Sequence, residues 1–251
     1  MFEMEEQLDY EHRSTMGRIF EKRKYKMFAR FARMSKAFNR ISREIAMAVK
    51  AGGPDAKANL RLRISIQNAK SVNMPKDRID AAIKRASSKD TTGYQEMVYE
   101  GHAPHGIAVI VDCATDNPTR TVANIRHHFS KNGGTLGNTG SIAFMFERKG
   151  LIRISSTKVG SVDDFELEAI DHGLDDIVED GQELHLYTSF HDYGKMQKFL
   201  EEKGVEVISA ELQYIPTTTK ELPEAQAKEV QLLLDALEED DDVQSVFHAM
   251  Q

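Results

Sequence analysis

The stretch that decides the fold is 150-GLIRISSTKVGSVDDFELEAIDHGLDDIVEDGQELHLYTSFHDYGKMQKFLEEKGVEVISAELQYI-215. Its periodicity changes four times. A strand over 151–155 gives way to a helix over 162–172, then strands over 175–179 and 183–188, a helix over 192–203 and a strand over 205–214. That order, βαββαβ, is the split-βαβ or ferredoxin-like pattern, which closes a sheet under two helices without outside help.

Because 150–215 is complete by itself, the flanking segments must find other partners. Upstream, Met97-Val98-Tyr99 and Ile107–Val111 read as strands and the second is a buried run. Asn117-Pro118-Thr119 opens a helix to about Lys131, glycines 133, 134, 137 and 140 form a loop, and Ser141–Phe146 reads as a further strand. Downstream, 223–238 is an amphipathic helix with Ala227, Val230, Leu233, Leu234 and Leu237 inward, and 243–248 is a strand. A lone strand–helix–strand has too few layers to bury its sheet. The expected organisation is therefore a discontinuous α/β middle domain, 93–149 plus 216–251, with 150–215 inserted into it. Three domains in series is the simpler alternative.

The N-terminal side is helical. A polar linker, Ser87–Gly93, separates it from the strands. From Glu21 to Lys50, apolar residues fall at 27, 31, 34, 38, 41, 45 and 48, one stripe of an amphipathic helix. Ala51-Gly52-Gly53-Pro54 stops it. Asp55 is placed to cap a second helix over 56–71 with Leu60, Ile64 and Ile66 buried, and Pro75 starts a third over 76–87 with Ile79, Ala82, Ile83 and Ala86 inward. Residues 16–92 thus read as an all-helical domain, and 1–15 as a poorly ordered extension before a natural start at Met16. The fold class is α+β: a helical domain followed by two α/β domains.

Charge points to the partner. Residues 18–43 hold ten Lys or Arg (Arg18, Lys22, Arg23, Lys24, Lys26, Arg30, Arg33, Lys36, Arg40, Arg43) and one acid, Glu21. Residues 1–15 carry −4, 16–92 carry +14 and 93–251 carry −17, which sum to the net −7. Segregation of this size is a statement about partners. Bases 26, 30, 33, 36, 40 and 43 cluster about 120° from the apolar stripe. Lys57, Arg61, Arg63, Lys70, Lys76, Arg78, Lys84 and Arg85 extend the positive field. A solvated face usually mixes signs; this one does not, so phosphate contact is the favoured reading. Phe31 and Phe38 lie on the stripe and read as core, while Phe28 lies off it and remains open to base stacking.

Other constellations yield less. Asn132–Gly140 is glycine-rich, but its glycines follow a helix and precede a strand, and Lys131 stands on the wrong side for a P-loop. Tight backbone geometry is the default there. Contact with a nucleic-acid backbone by Lys131, Asn132, Gly133 and Gly134, with Arg148 and Lys149, is a second option. His102/His105 and His127/His128 lack zinc-ligand spacing. Cys113, the single cysteine, ends a buried strand and reads as core. The acids at 163–183 and 238–242 read mostly as solvated faces. No catalytic constellation, cofactor motif or metal site assembles, so a non-enzymatic role is expected. No apolar run approaches the roughly 18 residues of a membrane span. The acidic opening is neither a signal nor a transit peptide, and a reducing cytoplasm is expected.

Several segments together resemble the YebC/PmpR-type proteins, whose mitochondrial relatives act as translational activators of cytochrome oxidase. They include Gly52-Gly53-Pro54-Asp55, Asn59–Arg63, Asn73–Asp77, Ala82–Arg85, Tyr99-Glu100-Gly101, Thr115-Asp116-Asn117 and Arg120-Thr121. They continue with Phe129–Gly134, Leu136-Gly137, Gly140-Ser141, Met145-Phe146, Arg148-Lys149-Gly150 and Asp241–Gln244 followed by His248. The resemblance runs from about 16 to 251, and the opening Met16–Lys24 departs from the family's common N-terminal pattern. It implies three domains and a cytoplasmic, non-enzymatic regulator associated with nucleic acid. The partner would be DNA for a probable transcriptional regulator, or ribosomal RNA and the ribosome for a translation factor.

Overall fold

The computed structural model describes residues 33–88 and 93–251. The chain divides into two compact units, residues 1–39 and 40–251. In the first, residues 33–39 are helical and Phe38 is buried. The expected helix start at 21 and the apolar positions 27 and 31 lie outside the described residues.

The second unit opens on α1, residues 40–52, where Ile41, Ile45 and Ala48 are buried as the stripe requires, with Val49 buried beside them. The next helix begins later than Asp55 suggests. It is α2, Leu60–Ser71, and its N-cap is Asn59, whose side chain accepts from the Leu62 amide at 3.1 Å and donates to the Ala48 and Gly53 carbonyls at 2.7 and 2.8 Å. Asp55 instead holds the turn before it, accepting from the Lys57 amide. The buried face follows from the later start: Leu62, Ser65 and Ala69 are inside, while Leu60, Ile64 and Ile66 are only half-buried. Helix α3 is Lys76–Ala86, with Ile79 and Ala82 buried.

Two four-stranded antiparallel sheets follow. The first contains β1 (Gln95–Ala103), β2 (Ile107–Thr115), β3 (Thr135–Leu136) and β8 (Val243–His248) in the order β3-β1-β2-β8. Between β2 and β3 lies α4, Pro118–Lys131, and α7, Glu224–Glu239, precedes β8. Strand β2 is buried on both faces. Ile107, Val109, Val111 and Cys113 meet Ile125 and Phe129 of α4 and Val230, Leu233, Leu234 and Leu237 of α7. Ala108 and Ile110 point the other way, toward Ile142, Phe146 and Ala249. This double burial is why the β2 sequence is a continuous apolar run rather than an alternation.

The second sheet contains β4 (Phe146–Ser155), β5 (Leu174–Asp180), β6 (Glu183–Ser189) and β7 (Val207–Pro216) in the order β5-β6-β4-β7. Helices α5 (Val162–Ile170) and α6 (Tyr193–Glu202) cover it through Phe165, Ala169, Met196, Phe199 and Leu200 against Ile152, Ile154, Leu184, Leu186 and Ala210. Its edge strand β7 is blunted by a side chain. The Asn68 amide of α2 donates to the Ala210 carbonyl and accepts from the Ala210 amide, both at 2.9 Å, as a neighbouring strand would.

One expected strand is absent. Residues 141–142 bend, Ala143–Met145 form one turn of 3-10 helix, and β4 starts only at Phe146. The cause is a buried carboxylate. Glu100, only 4% exposed, accepts from the backbone amides of Gly140 at 2.6 Å, Ile142 at 2.8 Å and Ala143 at 2.9 Å. Those amides are thereby withdrawn from any ladder.

Candidate nucleic-acid interface

The basic block is the natural starting point. Arg18, Lys22, Arg23, Lys24, Lys26 and Arg30 lie outside the described residues. Arg33 is exposed and Lys36 half-buried. Arg40 and Arg43, expected to face phosphate, are occupied within the molecule. Arg40 donates from Nε to the Val243 carbonyl at 3.1 Å and from Nη2 to the Glu238 carbonyl at 3.0 Å. Glu238 belongs to the last turn of α7, whose final carbonyls have no partner within the helix, so a guanidinium is a suitable cap there. Arg43 donates from Nη1 to the Ala114 carbonyl at 3.2 Å and to the Asp241 carbonyl, and its guanidinium carbon lies 5.3 Å from the Tyr94 ring centre.

These contacts converge on Asp242, which is 3% exposed although it stands in an acidic run. Its carboxylate accepts from Arg120 Nη2 at 2.9 and 3.2 Å, from Thr121 Oγ1 at 2.8 Å and from Thr115 Oγ1 at 3.3 Å, with Arg43 Nη2 at 3.4 Å. Burial alone would raise this carboxyl. The hydrogen bonds from Arg120 and Thr121 and the charges of Arg120 and Arg43 outweigh it and hold the group below the usual carboxylate range. Asp242 therefore ties α1, the end of β2, the start of α4 and the α7–β8 turn together. Reading 238–242 as a solvated face missed it. The available signal was that Thr115-Asp116-Asn117, Arg120-Thr121 and Asp241-Asp242-Val243 all belong to the matching segments; the structure brings them to one point.

The bases of α2 and α3 divide into two groups. Arg61 pairs with Glu96 and Arg63 with Glu201 at 2.6 Å. Lys57, Lys70, Lys76 and Lys84 are exposed and enter none of the ion pairs found among the described residues; Arg78 and Arg85 are also exposed. This exposed set presents positive charge to solvent.

The glycine-rich loop has structural work. Asn132 ends α4 by donating from its amide nitrogens to the His128 and Phe129 carbonyls. Gly133 follows at φ +73°, and the Gly134 amide returns to the Phe129 carbonyl at 2.8 Å, an αL helix stop. A Cβ on Gly134 would lie 2.7 Å from the His102 carbonyl oxygen, so β1 can approach the chain entering β3 only at a glycine. Lys131 is exposed beside this stop. Arg148 and Lys149 stand on β4, away from it in sequence: Arg148 is exposed and stacks 4.3 Å over the Phe190 ring, and Lys149 lies 3.5 Å from both Glu147 and Asp175.

Two of the histidines at 102, 105, 127 and 128 are tied to acids, and His127 meets His128 ring edge to face at 6.2 Å. His105 Nε2 is 2.9 Å from Glu229, and His128 Nε2 is 3.2 Å from Asp240. Cys113 is fully buried, and burial pushes its thiol up, away from the reactive thiolate. No described helix is long and apolar enough to cross a membrane.

The chain is similar to known proteins over most of its length. Residues 18–89 match the family model described as the TACO1/YebC protein N-terminal domain, and 94–250 match that of the TACO1/YebC second and third domain. A probable transcriptional regulatory protein of Cytophaga hutchinsonii is 55% identical over 235 residues, covering 94% of this chain and 98% of its own. A protein of the same description from Anaeromyxobacter dehalogenans is 52% identical over 238 residues, covering 93% and 99%. The crystal structure of a conserved hypothetical protein from Aquifex aeolicus superposes with a TM-score of 0.73 at 37% identity, covering 86% of this chain and 90% of that one.

Proposed function

The chain belongs to the TACO1/YebC family, and from that premise we propose that it is a non-enzymatic, nucleic-acid-binding regulator of gene expression. The preferred reading is a DNA-binding transcriptional regulator. The observation that carries it is the segregated charge: +14 over residues 16–92 against −17 over 93–251, with Lys57, Lys70, Lys76 and Lys84 turned to solvent. The relatives' descriptions as probable transcriptional regulatory proteins support the regulatory role. Phosphate neutralisation by such a surface supplies affinity through counterion release and carries little sequence information. The contacting set would be Arg18, Lys22, Arg23, Lys24, Lys26, Arg30, Arg33 and Lys36 with the exposed lysines and Arg85. We infer a cytoplasmic setting, in keeping with one buried cysteine.

The same surface would serve a ribosome-associated translation factor, because ribosomal RNA offers the same phosphate chain. The mitochondrial translational activators implied by the family resemblance favour giving this reading a test of its own. We also infer that 150–215 is an inserted domain. In support, β8 pairs with β2 across that segment, while β4 to β7 pair only with one another.

A retardation assay tests the main reading. The triple variant Lys57→Glu, Lys70→Glu, Lys84→Glu should weaken duplex binding at least about tenfold. It should also flatten the salt dependence by roughly 0.9 for each phosphate that is no longer neutralised. The control Lys198→Glu, on α6, should change neither. Equal affinity and slope for wild type and triple variant, with circular dichroism unchanged, would refute the assignment. Co-sedimentation with ribosomal subunits that RNase abolishes would move it from transcription to translation.

A further inference from the structure

The turn that replaces the expected strand at 141–145 presents a side chain in an unusual way. Phe144 is 78% exposed, the most exposed of the large apolar side chains among the described residues. Single exposed apolar residues are common and need no explanation. This one stands on a backbone held from both sides. Before it, the Gly140, Ile142 and Ala143 amides are bound by the buried Glu100 carboxylate, and the Gly137 amide by the Glu100 carbonyl at 2.8 Å. After it, the Met145 carbonyl accepts from the Thr217 amide at 2.9 Å and from the Thr217 hydroxyl at 3.0 Å. A buried carboxylate is costly unless its hydrogen bonds are complete. Here they are completed by the turn that fixes Phe144 in water.

A second aromatic lies at the same end of the second sheet. Arg148, four residues along the chain so that its Cα lies within about 14 Å of that of Phe144, stacks 4.3 Å over Phe190, itself 43% exposed, and lies 5.7 Å from Tyr214. The nearby acids Glu147 and Asp175 both lie 3.5 Å from the Lys149 ammonium, which they share and which partly offsets their repulsion of a polyanion. Exposed rings, a guanidinium stacked on one of them, and a rigid turn of small polar residues (Asn138, Thr139, Gly140, Ser141) form the combination that holds unpaired bases. A protein partner would more usually be met by a continuous apolar patch than by separate rings on different segments.

We propose that Phe144, with Arg148 and Phe190, forms a stacking platform for unpaired bases of single-stranded nucleic acid, apart from the phosphate-binding lysines of the helical region. The proposal rests on the nucleic-acid reading above. It adds that the junction of the two sheets selects single strands over duplex, with tolerance for base identity because every base has a π-face.

The test uses the full chain and two probes, a 12-mer of uridines and a 12-base-pair duplex. The chain contains no tryptophan, so Phe144→Trp introduces a single fluorophore at the platform. That variant should bind the 12-mer as wild type does, and its emission should be quenched on binding. Phe144→Ala should weaken the single strand about tenfold, leave duplex binding within twofold, and leave the salt slope unchanged. Phe144→Leu, which keeps the apolar contact and loses the ring, should behave as Phe144→Ala. Single-strand affinity within twofold of wild type for either Phe144→Ala or Phe144→Leu overturns the platform alone. Wild type binding neither probe overturns the nucleic-acid reading and the platform with it.

Discussion

Asp242→Ala should destabilise the protein by about 3–5 kcal/mol without touching any exposed surface. The Thr115 and Thr121 hydroxyls are fully buried, and the Arg43 side chain is only 15% exposed. Removing the carboxylate leaves these donors in a site closed to water. An orphaned buried donor costs roughly 1–3 kcal/mol, and breaking a buried charge pair from one side costs about 3–5 kcal/mol. Thr121 Oγ1 can turn its single proton to the Asn117 carbonyl at 3.0 Å, and Arg43 keeps its carbonyl partners, which places the sum in the lower part of the additive range. Asp242→Asn retains the shape and one acceptor, so it should cost less, about 2 kcal/mol. The two variants also differ from wild type in pH dependence. The folded carboxyl lies below its unfolded value of about 3.9. Its contribution is therefore complete above that value and is lost as pH falls through the folded value. Urea unfolding at pH 7 and at steps down to pH 3 should show the wild-type advantage over Asp242→Asn shrinking below about pH 4. An Asp242→Ala variant within 1 kcal/mol of wild type at pH 7 would refute the clamp, as would a gap to Asp242→Asn that does not change with pH.

Three further outcomes follow from the same structure. Glu44, on α1, is pushed up to about 7, first by burial and then by the Glu211 and Asp112 charges, against the Asn68 hydrogen bond and Arg61. Its neutral form is favoured in the folded state, so the penalty is absent below the unfolded value near 4.3, grows as pH rises, and is complete above 7. Glu44→Gln should accordingly be neutral at pH 4 and stabilising by about 2 kcal/mol at pH 8 in urea unfolding; a gain that is equal at both would contradict the assignment. Glu100→Ala should free the turn before β4, seen as faster hydrogen exchange at Gly140, Ile142 and Ala143 and a loss of about 2–3 kcal/mol; unchanged protection at those amides would show that the carboxylate does not hold them. Arg40→Gln should lower Tm by a few degrees while leaving the salt slope of nucleic-acid binding intact, whereas a flatter slope would return Arg40 to the phosphate-contacting set.

The sequence was most legible where local pattern and tertiary demand coincide. The helix ending the chain and the strand after it are read at 223–238 and 243–248 and found at Glu224–Glu239 and Val243–His248. The helix stop at Asn132-Gly133 and the apolar stripe of α1 are of the same kind. What escaped depends on where a single polar side chain goes. Asn59 outcompetes Asp55 as a cap because it also bridges back to the end of α1 through the Ala48 carbonyl. The strand expected at 141 fails because Glu100, 40 residues earlier, takes its amides. Asp242 looks like one acid among five at 238–242 until its threonine and arginine partners are in place. Long-range hydrogen bonds from short polar side chains leave no periodic trace.

The redirection of Arg40 and Arg43 changes where a polyanion can approach. Both guanidinium groups are directed at the α7–β8 turn, and the pocket beside Arg43 is lined by Asp116, Asp240, Asp241 and Asp242 against Arg43 and Arg120. Four acids to two bases make that surface repellent to phosphate, however basic the helix sequence is. On the proposed reading, phosphate contact falls on the remaining cations: the bases ahead of residue 40 and the exposed lysines of α2, α3 and the turn between α1 and α2. The basic run would then serve two purposes along its length. Its C-terminal arginines fix α1 to the body through carbonyl groups and one buried carboxylate, interactions that salt screens weakly. The exposed cations act through a field that salt screens strongly. Raising ionic strength should therefore separate the two, releasing nucleic acid long before it loosens the fold.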